Sequence, residues 1–262
     1  MKKILFIVNL DKFFISHRLP IATTLRDFGY EVHIASKFTD RESYLKNLGF
    51  FTHDLPIERS SISISSNFWT FTKILKLILH LKPDLVHLIT IKPILYGGMI
   101  SHLFKKTSFV ASISGLGYVF SDKSRFSIIR KKLIEILYKI VFLNRKIVVI
   151  FQNQDDRKKL IDISKLKKEN TTLINGSGVD LKIFSVIPNN NIKNPIALFA
   201  GRLLISKGIL DFIEASKLFS NIRYVISGGF DFENPDCIDP KLMNKVTQEG
   251  LIEYWGYSNN MQ

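Results

Sequence analysis

The segment Phe199-Ala200-Gly201-Arg202-Leu203-Leu204-Ile205-Ser206-Lys207-Gly208 gathers residue types suited to holding a phosphate. Arg202 offers a planar fork of donors that matches phosphate oxygens, and Lys207 adds a point charge. Gly201 lets the backbone come close to a ligand. Ser206 stands where a helix could be capped, and a helix N-terminus favours an anion. These groups could together stabilise a departing diphosphate without a metal ion. Two surface cations beside a helix start would show the same spacing. Gly228, after a later apolar run, could also approach a ligand, or simply make a turn.

Two further constellations lie earlier in the chain. Ser16, His17 and Arg18 are expected where a first helix begins, a position from which they would meet a phosphate or a sugar. Ser114, Gly115, Gly117 and Tyr118 follow another apolar run, and the glycines leave room beside the backbone. Phe120 stands where a dinucleotide fingerprint needs its third glycine, so that reading is set aside. The remaining histidines, His33, His53, His80, His87 and His102, have no partner motif and are assigned to structure or surface. No pair of histidines has metal-ligand spacing, and Cys237 is the single cysteine, so neither a metal site nor an internal disulfide is expected.

These groups need a scaffold that brings strand ends together. The chain alternates apolar runs with helical spacing: strands over 3–8, 31–35, 85–90, 109–114, 146–151 and 171–174, with helices over 19–28, 41–48, 68–81, 125–143 and 155–163. Continuous apolar runs such as Ile4 to Val8 are typical of strands buried on both faces. Alternation of this pitch predicts a parallel, doubly wound α/β sheet, with ligands at the carboxyl ends of the strands. Residues 185–195 include a Pro- and Asn-rich stretch and read as a linker. The alternation then restarts over 196–262, with strands at 196–200, 223–227 and 251–255 and a helix at 209–219. The domains expected are therefore 1–184, a linker 185–195, and a smaller 196–262.

The 262 residues are 46% hydrophobic and 23% charged, an ordinary globular composition. The net charge of +14 is lopsided: residues 1–184 carry +15 and residues 185–262 carry −1. A basic domain beside a neutral one implies a surface that meets polyanions. Nucleic acid would account for the charge alone and is not expected, because no recognition motif accompanies it. The first apolar run is too short for a signal peptide, and no run is long enough to cross a bilayer.

Four motifs in order resemble one family. Phe14-Ile15-Ser16-His17-Arg18-Leu19-Pro20, Ser114-Gly115-Leu116-Gly117-Tyr118-Val119-Phe120, Asn175-Gly176-Ser177-Gly178-Val179-Asp180 and the Gly201–Gly208 segment are similar to the GT-B glycosyltransferases of family 4, in the subgroup that builds capsular and lipid-linked saccharides. The resemblance spans essentially the whole chain. It implies two Rossmann-like domains and transfer of a sugar from a nucleotide-sugar, with retention and without a metal or other cofactor. It gives Gly201, Arg202, Lys207 and Gly228 to the donor, with Arg202 and Lys207 catalytic through the leaving diphosphate. It gives Ser16, His17, Arg18, Ser114, Gly115, Gly117 and Tyr118 to the acceptor, a saccharide on a polyprenyl diphosphate. It also implies a cytoplasmic protein held peripherally at the inner face of the membrane. The family pattern continues with a paired-glutamate motif that finds no counterpart before Gln262. A truncated chain, a complementing polypeptide or a non-catalytic scaffold are the corresponding alternatives.

Arg125, Lys132 and Lys139 recur on one side of the helix expected at 125–143, while Ile129, Leu133, Ile136 and Ile140 share another. Such a helix lies on an anionic membrane surface, or packs on the sheet with its charges solvated. Phe68, Trp69 and Phe71, ahead of an apolar helix, also suit a membrane interface.

Overall fold

The computed structural model describes residues 1–57, 63–116, 125–181, 183–185, 195–232 and 234–258. The chain divides into two compact units, Met1–Gly178 and Val179–Gln262. Most of the stretch expected to be a linker lies outside the described residues.

The first unit is a parallel seven-stranded sheet with helices on both faces. Its strands are β1 (Lys3–Leu10), β2 (Glu31–Lys37), β3 (Phe51–Asp54), β4 (Leu85–Ile89), β5 (Ser108–Ile113), β6 (Val148–Phe151) and β7 (Thr171–Leu173). They lie in the order β3-β2-β1-β4-β5-β6-β7. Residues along β1 alternate between two cores. Leu5 and Ile7 join the core beneath α3 (Ile64–Leu81), α4 (Ile91–Ile100), α5 (Arg125–Val141) and α6 (Gln154–Ile163). Ile4, Phe6 and Val8 join the core beneath α1 (Asp11–Asp27) and α2 (Glu42–Asn47). Two glycines let α4 sit close: a Cβ on Gly97 would stand 2.2 Å from Leu88 Cδ2, and one on Gly98 would stand 2.4 Å from Val141 Cγ1 of α5.

The second unit has a smaller parallel sheet in the order β10-β9-β8, formed by β8 (Ile196–Ala200), β9 (Arg223–Ser227) and β10 (Glu253–Gly256). α7 (Ile209–Leu218) and α8 (Pro240–Gln248) cover one face, with Ile209, Ile213, Met243 and Val246 packed on Tyr224 and Ile226. Asp239 caps α8 by accepting from Lys241 N–H at 2.9 Å, and Pro240 opens the helix.

The structure departs from the sequence reading in several places. β3 is short and half-polar, and α4 carries Pro93, Gly97 and Gly98; both escaped a search for apolar periodicity. α1 starts at Asp11, directly after β1, so His17 and Arg18 lie mid-helix and not in its first turn. Asp11 is fully buried and anchors that start by accepting from the N–H and hydroxyl of Thr39 at 2.8 and 3.0 Å. For α5, where two alternatives were open, Ile129, Leu133, Ile136 and Ile140 are not the packed face. The sheet side of that helix is Tyr138 and Val141, and the other four are exposed.

Candidate functional site

In the first unit the strand order reverses between β1 and β4, which opens a crevice at their carboxyl ends. Ile7 pairs with Leu88, and Asn9 and Thr90 stand just beyond that pair, near the carboxyl ends of β1 and β4. Thr90 has φ 73 and ψ 163, a backbone region used almost only by glycine and costing about 1–3 kcal/mol. It begins α4 without capping it, and its buried hydroxyl has no hydrogen-bond partner among the described residues. Asn9 Oδ1 is buried and unpartnered in the same way. Unsatisfied buried polar atoms are costly, so three at one end of a sheet call for an explanation.

The third is Nε of Arg18. This side chain reaches from the middle of α1 and is only 5% exposed. Its guanidinium donates to His17 O at 2.9 Å and Ser177 Oγ at 3.1 Å, with a longer approach to Ser114 Oγ at 3.5 Å. Gln152, after β6, donates to the same Ser177 hydroxyl at 3.1 Å. All of these partners are neutral, and among the described residues no carboxylate pairs with Arg18. Burial lowers its pKa, although a guanidinium stays charged. His87 lies next to this cation, accepts or donates at 2.7 Å with Ser112 Oγ, and is pushed down to about 3 by burial and by Arg18. A buried cation held by hydroxyls and carbonyls is suited to an anionic ligand group.

Of the residues expected here, Arg18 and Ser114 are brought together, with Gly115 (φ 148) beside them. Ser16 instead turns its hydroxyl to Lys12 O at 2.9 Å and to His17 Nδ1 at 2.7 Å. His17 stacks on Phe13 with ring centroids 4.2 Å apart, and burial lowers its pKa. Both are thus engaged within α1. Gly117 and Tyr118 lie outside the described residues. Asn9, Thr90 and Gln152 were missed: Asn9 directly follows the apolar run Ile4 to Val8 with no motif of its own, and no residue type announces the backbone of Thr90.

In the second unit Gly201 and Arg202 follow β8 directly. Arg202 Nη1 donates to Asp231 Oδ2 at 2.5 Å, so the fork is oriented by a carboxylate that the sequence reading overlooked. Lys207 is exposed at the end of a single 3-10 turn, Ile205–Lys207. That turn corrects the expectation for Ser206. The residue that starts α7 is Gly208 in the left-handed conformation (φ 78), and the N–H of Ser206 is taken by Asp236 Oδ2 at 2.8 Å. Gly228 is required for packing: a Cβ there would stand 1.7 Å from the carbonyl oxygen of Gly201. The two glycines therefore hold the ends of β8 and β9 together and set the path on which Arg202 sits. Among the described residues no group of three or more His, Cys, Asp or Glu is placed to hold a metal ion.

Comparison with known proteins follows the same lines. The profile of the family described as "Glycosyl transferase 4-like" matches residues 3–153. No curated protein sequence is detectably similar to the chain. Among solved structures, HepE of Anabaena in complex with UDP superposes with a TM-score of 0.69 at 15% identity, covering 100% of this chain and 70% of that one. Sucrose-phosphate synthase of Thermosynechococcus elongatus gives 0.73 at 18% identity, covering 99% and 71%. The UDP-GlcNAc 2-epimerase of Methanocaldococcus jannaschii gives 0.54 at 13% identity, covering 99% and 74%. At these identities the likeness is one of fold, and the fold serves both transferases and epimerases.

Proposed function

We propose, from the premise that the chain belongs to the glycosyl transferase 4-like family, that it moves a sugar from a nucleotide-diphosphate donor to a saccharide carried on a lipid diphosphate. Family membership makes it a glycosyltransferase; the acceptor class and the stereochemistry are the proposal. The observation that carries it is Arg18, a buried cation at the carboxyl edge of the first sheet whose partners among the described residues are neutral and whose Nε has none there. Such a group suits a phosphate-bearing acceptor better than a neutral sugar, because a phosphate oxygen would compensate the buried charge. Asn9 and Thr90 at the same edge offer hydroxyl and carbonyl contacts for the adjoining sugar.

The donor falls to the second unit. Arg202, aimed by Asp231, and Lys207 meet the charge that grows on the leaving diphosphate, the role a divalent cation fills in other transferases. The bond between the anomeric carbon and the β-phosphate oxygen breaks, and its electron pair leaves with the nucleoside diphosphate. The acceptor hydroxyl forms the new bond on the same face of the sugar, and its proton goes to the departing phosphate. That HepE is solved with UDP supports a uridine nucleotide as the first donor to try.

The test is transfer from a panel of nucleotide-sugars to a short-chain polyprenyl-diphosphate saccharide. Product is expected only when both substrates are present. Arg202→Ala should lower the affinity for UDP in titration calorimetry by at least about tenfold, the scale of one charge-assisted contact. Conversion of the nucleotide-sugar to an epimer or to free sugar without acceptor, or UDP binding indifferent to Arg202, would overturn the proposal.

A further inference from the structure

We infer that the outward face of α5 seats the first unit on an anionic lipid bilayer. The inference deepens the proposed function by naming the surface that brings the protein to a lipid-borne acceptor. It stands on α5 having two apolar faces. One, with Tyr138 and Val141 fully buried and Ile134 and Leu137 partly so, packs into the unit. The other consists of Ile129, Leu133, Ile136 and Ile140, with Leu143 just past the helix end, each between 41% and 70% exposed. At 3.6 residues per turn the four helical positions fall within an arc of roughly 60°. Isolated exposed apolar residues are ordinary, but four on one helix face, followed by a fifth, are not. His102 is tied by Nε2 to Ile140 O at 3.0 Å, and Leu103 next to it in sequence is exposed. α3, separated from α5 by the buried α4, adds exposed Phe68 and Trp69, with Lys73 Nζ 5.7 Å from the Trp69 ring centroid.

Charge decides the occupant. Lys132 and Lys139 are exposed along one flank of the stripe, and Arg145 and Lys146 are exposed just beyond its end. Among the described residues none of these four cations is in an ion pair, and the one acidic residue on this stretch of helix, Glu135, lies off the stripe. A bilayer with anionic headgroups accepts an apolar stripe and its flanking cations together. A second copy of the chain would oppose lysine to lysine across the contact, which like-charge repulsion disfavours. No helix of the described residues is long and apolar enough to cross a membrane, so the geometry is that of a helix lying in the interface.

The experiment uses the purified full chain and vesicles of phosphatidylcholine with about a third phosphatidylglycerol, a charge density that attracts basic segments. The chain should sediment with these vesicles and not with phosphatidylcholine alone. A Leu133→Ser/Ile136→Ser double variant should bind at least about tenfold more weakly, and Lys132→Gln and Lys139→Gln about fivefold each at low salt. Equal binding by the double variant, or no binding by the parent, would overturn the inference. So would self-association in sedimentation velocity that the double variant abolishes, because the stripe would then be an interface between copies. If the double variant does not fold, an environment-sensitive dye on Ile136→Cys in a Cys237→Ser background replaces it. A blue shift on adding anionic vesicles supports the inference, and no shift overturns it. The vesicles contain no acceptor, so docking is measured apart from catalysis. Failure to dock would leave transfer to a detergent-dispersed acceptor intact, whereas failure of transfer with docking preserved would sink only the proposed function.

Discussion

Replacing Arg18 by methionine should separate binding from stability in opposite directions. Arg18 is 5% exposed, and removal of its guanidinium from water costs several kcal/mol even after relaxation. The unpartnered Nε adds about 1–3 kcal/mol to that cost. Two hydrogen bonds, at 2.9 Å to His17 O and 3.1 Å to Ser177 Oγ, return about 1.5–3 kcal/mol each, and the 3.5 Å approach to Ser114 returns little. The terms nearly cancel. Methionine fills a similar length with apolar atoms, and Ser177 keeps its bond from Gln152. Arg18→Met should therefore be between neutral and about 2 kcal/mol more stable than the parent. A phosphate-bearing ligand should behave differently. At a hundred times its Kd, such a ligand raises the stability of the parent by about 2.7 kcal/mol, and it should leave the variant unchanged. Urea unfolding followed by circular dichroism, with and without inorganic pyrophosphate, reads both effects. An Arg202→Ala background removes the response of the second unit. A variant destabilised by more than about 2 kcal/mol that still responded to pyrophosphate would refute the reasoning, because Arg18 would then be a structural arginine.

Two further outcomes follow from the same geometry. His87 is held neutral, with a pKa near 3 in the folded chain, so its contribution is complete above the unfolded value near 6.5 and is lost as pH falls toward 3. At about 1.4 kcal/mol per unit the full loss approaches 5 kcal/mol. His53, lowered to about 4, acts with the same sign. A His87→Gln variant should flatten the pH–stability profile across that acidic window, and superposable profiles would contradict the assignment. Asp231→Asn keeps a hydrogen-bond acceptor near Arg202 but removes its counter-charge. UDP affinity should rise several-fold at low salt and converge on the parent at high salt, as calorimetry can follow; a fall in affinity would mean that Asp231 contributes to the site mainly by positioning Arg202.

Much of the first unit was legible because its central strands are buried on both faces and its helices are amphipathic. Both leave a periodic trace, as in Ile4 to Val8 or Asp155 to Ile163. α4 left none. It is apolar on nearly every side because it is enclosed by β4, α3 and α5, and its close approach needs Gly97 and Gly98, which a propensity argument counts against a helix. β3 hides for a different reason: an edge strand of four residues, half polar, has too few positions to show a period. The site was legible in its residue types and not in its partners. The neighbourhood of Arg18 is assembled from α1 and the segments after β5 and β7, with Ser177 lying 159 positions along the chain. Asp231 is likewise 29 positions from Arg202, in a stretch with no motif of its own. The expected helix cap at Ser206 failed because the sequence shows a strand followed by a helix but not the 3-10 turn between them. The α5 stripe was identified correctly as apolar, yet periodicity alone cannot say which of two apolar faces turns inward.

The two arginines are prepared for anions in contrasting ways, and the proposed function gives each arrangement a reason. Arg202 is about half exposed and held by a carboxylate. Asp231 fixes the fork but also competes with an incoming diphosphate for it. Under the proposed function, that would weaken ground-state binding of the donor and provide an internal anion to which Arg202 returns when the nucleoside diphosphate departs. An exposed ion pair contributes little to stability, so the exchange costs the fold little. Among the described residues Arg18 has no such competitor. Its neutral partners fix the fork and leave its charge uncompensated within a buried setting, where an electrostatic contact is stronger than in water. A group that must anchor one acceptor while the sugar is transferred gains from this, and a group that must release a product each turnover does not. Binding energy placed on a part of the acceptor that does not react can then orient its hydroxyl, which is where a positioned anchor accelerates a transfer.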